Sequence, residues 1–292
     1  MVVMFALAAA VLYGSADFLG GAASRHSRAL SVAALSVPVG ALVMLAAAVV
    51  SGGQAPTAGL GWAIAAGVFG AIGLMVFYAG LAAGPMSVVA PVSALVSTVL
   101  PVGVAVASGE HLGLPVYIGA AVCLMATVLV SLERRTPART QANAVGSRFP
   151  GGHPALRGLV YGTVSGAMFG IFFVSLRNAG TSGVFWPVCT ARMANAAVVI
   201  AIAVLARARP VGREAGSRVL TAAIGSGVLD ASANLCYVLA TRAGLFGIAA
   251  VLTSLYPGIT VLLARVVLSE RMQAVQRFGL LLAGVGVVLV TL

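Results

Sequence analysis

Apolar runs of about twenty residues recur from one end of this chain to the other. That is the length a helix needs to cross a bilayer, at about 1.5 Å of rise per residue and about 30 Å of hydrocarbon. A closed barrel is the other structure that satisfies its whole backbone in lipid, but its strands are short and alternate in polarity. Here the runs are continuous and rich in Ala, Val and Leu, so spanning helices are expected. Charged residues make up 8% of the 292 positions, against roughly 25% in a soluble domain. So few charges cannot cover a water-facing surface. The net charge of +11 comes from 17 basic residues, all Arg, most of them in short loops between apolar runs. Loop arginines of this kind face anionic lipid headgroups, so the bilayer and not a nucleic acid is the expected partner.

Ten helices are expected, at 2–22, 29–51, 59–81, 85–107, 113–132, 157–177, 183–206, 218–241, 245–268 and 274–292. Residues 1–22 lack a basic leader and read as a span, not as a cleaved signal. Residues 133–156 interrupt the series with an Arg-, Gly- and Pro-rich polar linker. They divide the chain into halves of five helices, 1–132 and 157–292. The halves resemble each other at an offset of 160 residues. Gly67 meets Gly227, Gly84 meets Gly244, Leu95 meets Leu255, and Glu110 meets Glu270. The glutamate match carries weight, because the chain has only six acidic residues. An odd number of spans per half places the second half in the membrane upside down. The fold class is therefore all-α and integral to the membrane, with ten helices in two inverted five-helix repeats. Two inverted repeats with a site between them is the plan of many secondary transporters.

Three stretches carry a family resemblance: YGSADFLGG at 13–21, GPMSVVAPVSALVSTVLPV at 84–102 with GE at 109–110, and GIAAVLTSLYPGITVLLARVVLSER at 247–271. In these the chain resembles ten-helix members of the drug/metabolite transporter superfamily built from two EamA domains. The resemblance covers nearly the whole chain. It implies movement of small organic molecules, often export of amino acids or metabolites, in some members coupled to protons. It also implies termini in the cytoplasm. The arginines point the other way. Thirteen lie in loops after odd-numbered helices, among them Arg25, Arg28, Arg134, Arg135, Arg139, Arg207, Arg209 and Arg213; Arg177 and Arg242 follow even-numbered ones. That bias places the odd loops in the cytoplasm and the termini outside.

Only Asp17, Arg192 and Asp230 are charged residues well inside the spans. A carboxylate at that depth is paired, protonated or facing water in a cavity, and intramembrane charges mark functional sites. Counted from the even-loop face, Arg192 lies about 13 Å deep, Asp230 about 16 Å and Asp17 about 22 Å. Arg192 therefore reaches Asp230 most easily, and Asp17 by stretching. Ser226, Asp230, Asn234, Tyr237 and Thr241 form one polar stripe down the eighth helix. Cys189, Arg192, Asn195 and Ala196 share a face of the seventh, and Tyr13, Asp17, Gly20 and Ser24 a face of the first. One reading of Arg192 and Asp230 is a static ion pair that fixes helix packing. The other is a site in which the Arg192 guanidinium binds an anionic group of a substrate and Asp17 or Asp230 carries a proton. Asn195, Asn234, Tyr13, Tyr237 and Trp186 complete the candidate binding set, with Phe18, Phe169 and Phe172 as further aromatics.

Glu110 and Glu270 each precede a helix and read as acids favoured by its N-terminal dipole. Gly158, Gly162, Gly166 and Gly170 open one face of the sixth helix to close packing. Pro91, Pro101, Pro187 and Pro257 interrupt apolar runs. Tyr256 and Pro257, in TSLYPG, and Pro91 are the candidate hinge or gate residues. Cys123, Cys189 and Cys236 lie in separate runs and read as packing residues. His26, His111 and His153 are too scattered for a metal site. No hydrolase, protease or P-loop signature is present, and no enzyme activity, cofactor or metal is expected. The expected function is secondary active transport of a small organic metabolite, such as an amino acid or other carboxylate, by alternating access and in the direction of export. The alternative is a flippase for an amphipathic lipid or a lipid-linked sugar. A monomer is the expected state. The absence of Lys beside abundant Ala, Gly, Val and Arg suggests a GC-rich genome, hence a bacterial inner membrane crossed many times.

Overall fold

A computed structural model describes residues 1–52, 59–83, 86–110, 113–131, 154–179, 184–208, 211, 216–267 and 274–291. Glu270, His111, His153, Gly84 and the arginines at 134, 135, 139, 209 and 213 lie outside the described residues. The helices are α1 (Val2–Ser24), α2 (Ala29–Val50), α3 (Leu60–Ala83), α4 (Met86–Ala107) and α5 (Leu114–Ser131) in the first half. The second half holds α6 (Pro154–Ala179), α7 (Phe185–Leu205), α8 (Ser217–Ala243), α9 (Phe246–Thr253), α10 (Tyr256–Val267) and α11 (Ala274–Thr291). Among the described residues these make ten spans. Eight are long and apolar enough to cross a membrane, and α5 and α11 are shorter. The sixth helix starts at Pro154, so residues 154–156 belong to it and not to the linker. Proline suits a first turn, where its missing N–H has no partner to lose.

The ninth span departs from the expected continuous helix. It breaks into α9 and α10 across Ser254 and Leu255. Pro257, near the start of α10, favours the break. A proline ring clashes with the carbonyl four residues before it, and that residue is Thr253, where α9 ends. At an offset of 160, position 257 corresponds to Ser97. Proline alone does not set such a break, since α4 runs unbroken with Pro91 and Pro101 inside it.

Helix packing follows the repeat. Exchange of the halves carries α1 to α6, α2 to α7, α3 to α8, α4 to α9 with α10, and α5 to α11. Helix α1 packs on α8 as α6 packs on α3, and α2 packs on α8 as α7 packs on α3. Helix α4 packs on α6 as α9 and α10 pack on α1, while α2 meets α7 and α5 meets α11 across the axis. Gly67 and Gly227, paired by the sequence offset, occupy equivalent contacts. A methyl group on Gly67 would strike the Ala191 carbonyl of α7, and one on Gly227 would strike the Ser36 carbonyl of α2.

The residues inside the bundle are small. Ala6, Ala9, Ala63, Ala66, Ala223, Ala231 and Ala240 are fully buried, while Leu42, Met125, Leu205 and Leu281 face outward. Lipid tails are as apolar as leucine, so burying large side chains gains little in a bilayer. Close approach of backbones over small residues holds the helices together instead. The glycine ladder of α6 works in this way. Added methyl groups on Gly162 and Gly166 would lie 2.9 Å from the Val89 carbonyl and 2.6 Å from the Ser93 carbonyl of α4. Cys123 and Cys189 are buried free thiols in this packing, and Cys236 is a half-buried one.

Candidate functional site

The polar faces of α1, α7 and α8 converge on one cavity of about 220 Å³. Arg192 and Asp230 form an ion pair across it, as their depths predict. The Arg192 side chain is 5% exposed and that of Asp230 is 32% exposed, so the guanidinium sits in the wall and the carboxylate looks into the space. Two glycines make room for the wall. A methyl group on Gly40 of α2 would sit 2.8 Å from Arg192 Nη2, and one on Gly70 of α3 would sit 3.0 Å from Asn195 Nδ2. Asp17 lines the same cavity and is exposed to it. It makes no ion pair or hydrogen bond among the described residues.

The α8 stripe divides at its middle. Ser226, Asp230 and Asn234 line the cavity. Ser226 Oγ donates to the Ala16 carbonyl at 2.9 Å, which ties α8 to α1 one residue from Asp17. Asn234 Nδ2 donates to the Asp230 carbonyl at 2.6 Å. Tyr237 lies outside the cavity lining. It is fully buried, with its ring 4.8 Å from that of Phe173 and its hydroxyl 3.5 Å from the Phe173 carbonyl. Trp186 also lies outside the lining, one residue into α7, and packs against the main apolar cluster. Phe18 does not line the cavity either. Tyr13, Phe169 and Phe172 do, joined by three residues that pattern reading missed: Tyr78, Phe173 and Ser36.

Several buried polar atoms here have no hydrogen-bond partner among the described residues: Arg192 Nε, Asn195 Oδ1, Asn234 Oδ1 and the Tyr13 hydroxyl. Buried polar groups are ordinarily satisfied, and an unsatisfied one is costly. All four belong to residues that line this one cavity. They lie in the cavity wall itself, so the wall of this cavity carries polar groups that the protein leaves unsatisfied.

The cavity is lopsided along the membrane normal. On α1 its lining runs from Tyr13 to Gly21, and on α2 it begins at Val32. It therefore extends from mid-membrane to within about a turn of the loop joining these helices, on the face of the odd-numbered loops. At mid-membrane it stops against Tyr13, Phe173 and Tyr256. The rings of Tyr13 and Phe173 lie edge to face at 6.1 Å, and those of Tyr13 and Tyr256 are also 6.1 Å apart. Thr260 of α10 fixes this floor by donating to the Gly14 carbonyl at 3.1 Å. Beyond it, towards the even-numbered loops, Ala6, Ala9, Leu176, Val238 and Ala240 are fully buried.

Glu110 serves a different helix from the one that follows it. Its carboxylate accepts from the backbone N–H groups of Phe246 and Gly247, both at 3.0 Å, and so caps α9 in the other half of the chain.

A family model described as the EamA-like transporter family matches residues 1–132 and 156–292. A crystal structure 18% identical in sequence superposes with a TM-score of 0.77, over 99% of this chain and 96% of that one. At that identity the likeness shows a shared fold. No curated protein matches the chain in sequence.

Proposed function

The chain belongs to the EamA-like transporter family, a family of membrane transporters, and from that premise we propose that it is a secondary active transporter of a small zwitterion of the amino-acid class. The observation that carries this reading is the charge balance of the cavity. Arg192 and Asp230 neutralise each other, which leaves Asp17 as a further carboxylate with no ion pair or hydrogen bond among the described residues. A guest bearing an ammonium group compensates Asp17. Its carboxylate shares the Arg192 guanidinium with Asp230, the planar fork having donors for both, and because the arginine and the ammonium then face three carboxylates, a proton taken up with the guest completes the balance. A volume of about 220 Å³, below the roughly 300–1,000 Å³ of drug-sized pockets, favours a metabolite over a lipid-linked sugar. Tyr256 and Pro257, where the ninth span breaks, and Pro91 are the positions we assign to hinge motion. Export across a bacterial inner membrane is the direction we assign.

Asp17 is the proton carrier in this reading, because it lines the cavity and no partner among the described residues holds it. Purified protein in liposomes preloaded with amino acids should exchange a labelled amino acid by counterflow. The rate should vary with pH, and Asp17→Asn, which keeps the shape without a titrating group, should flatten that profile. Counterflow that is absent for every zwitterion while simple carboxylates exchange would sink the zwitterion reading. An unchanged pH profile in Asp17→Asn would make that aspartate structural.

A further inference from the structure

We propose that Glu110, Arg177 and the first turn of α9 form a latch that holds the cavity shut on the face of the even-numbered loops. This rests on the transport reading and identifies what must open for cargo to cross that face. The latch joins both halves of the chain. Helix α4 ends in a Schellman turn, in which Glu110 N–H donates to the Ala105 carbonyl and Gly109 N–H to the Val106 carbonyl. Gly109 takes the left-handed conformation that the turn requires, with φ of +87°. The turn delivers the Glu110 carboxylate to α9, whose own N-cap, Leu245, has no side chain that can accept. Two backbone N–H groups that would otherwise lack partners are thereby satisfied. Arg177, at the end of α6, places Nη2 3.4 Å from Glu110 Oε1 and lies over the Phe246 ring, with Cζ 4.3 Å from its centre.

Three observations make this a latch that opens and not a fixed cap. The Arg177 side chain is 30% exposed, so water competes for the pair and it is weaker than a buried one. Helix α9 has eight residues and is separated from α10 by the break at Ser254 and Leu255, which lets it tilt as a unit. The path behind it is thin. A void of about 10 Å³, lined in part by Ser97, Tyr237 and Thr253, lies between latch and cavity. It shares Phe173 and Tyr256 with the cavity, so those two rings form the septum between the two spaces. Closure on this face therefore has two layers, an aromatic septum at mid-membrane and a polar latch near the surface. The odd-loop face has the open cavity in the corresponding place.

The test reads accessibility and does not require a known cargo. In a background with Cys123, Cys189 and Cys236 changed to Ala, Ser97→Cys places a thiol in the void. An impermeant maleimide is applied to membrane vesicles from the face bearing the α4–α5 loop. Labelling should be slow with the latch intact and about tenfold faster in Glu110→Gln, the shift expected from losing a charge-assisted contact. Arg177→Gln, which keeps the cap on α9, should give a smaller rise. If Glu110→Gln does not reach the membrane, the Arg177 variant carries the test by itself. Unchanged labelling in folded variants would overturn the latch, whatever the counterflow assay shows. Faster labelling without any amino-acid counterflow would leave the latch standing and remove the transport reading instead.

Discussion

Replacing Arg192 by alanine should abolish transport, with a loss of about 30-fold or more, the range expected when one member of a buried, hydrogen-bonded charge pair is removed. Two effects combine. The cargo loses the planar donor that orients its carboxylate, and Asp230 loses the only cation in contact with it among the described residues. The unpaired Asp230 carboxylate also costs stability, though less than the roughly 3–5 kcal/mol of a fully buried charge because its side chain is 32% exposed, so the single variant confounds folding with binding. The double variant Arg192→Ala/Asp230→Ala separates them. It removes both charges, and it should recover the yield and melting behaviour of folded protein while remaining inactive. Arg192→Lys keeps the charge but not the fork, and should retain only a small part of the activity. Full turnover in the double variant would reduce the pair to a packing device, the static alternative that the sequence leaves open.

Gly67→Ala and Gly227→Ala should each lower the thermal midpoint in detergent by about 3–10 °C, from an overpacking cost of about 1–3 kcal/mol and the usual slope for a protein of this size. A helical Gly→Ala change normally stabilises, by about 1 kcal/mol. Here the new methyl groups meet backbone: the Ala191 carbonyl for Gly67 and the Ser36 carbonyl for Gly227. Backbone cannot turn aside as a flexible side chain can, so the helices must part. Gly284 supplies the control, because nothing lies within 4 Å of the position its methyl group would take; Gly284→Ala should hold or raise the midpoint. The two damaging changes should be similar in size, because they disrupt equivalent contacts, α3 on α7 and α8 on α2. Bulkier replacements at Gly227 should also cost transport, since this contact positions Ser36 and Asp230, both of which line the cavity. An unchanged midpoint in both alanine variants would contradict the close approach described here.

Much of this arrangement is legible in the sequence because it obeys local periodicity. Apolar runs of bilayer length give the spans, and an offset of 160 residues gives the halves. The spacing of Ser226, Asp230 and Asn234 gives the cavity face of α8, and depth alone pairs Arg192 with Asp230. The ninth span is expected unbroken over 245–268, but Pro257 already marks it as a candidate hinge, and its ring lies four residues after Thr253, where α9 ends. What escaped depends on tertiary placement. Tyr237 continues the α8 stripe in sequence, but it lies below the aromatic floor and is buried against Phe173. Trp186 sits at the start of α7, more than one turn before Arg192 brings that helix to the cavity. Tyr78 and Phe173 resemble their apolar neighbours until packing turns them inward. The partners of Glu110 lie 136 and 137 residues away, beyond any local pattern, and nothing in GE at 109–110 distinguishes a cap on the next helix from a cap on a distant one.

The proposed function requires that a small zwitterion cross the membrane through the cavity that Arg192 lines. Untargeted mass spectrometry of cells and medium tests it most directly, comparing expression of the wild type with the double variant Arg192→Ala/Asp230→Ala. The account predicts at least one small metabolite bearing both ammonium and carboxylate groups that shifts between cells and medium with the wild type alone. Identical profiles for a folded double variant and the wild type, with every redistributed compound moved by both, would contradict it.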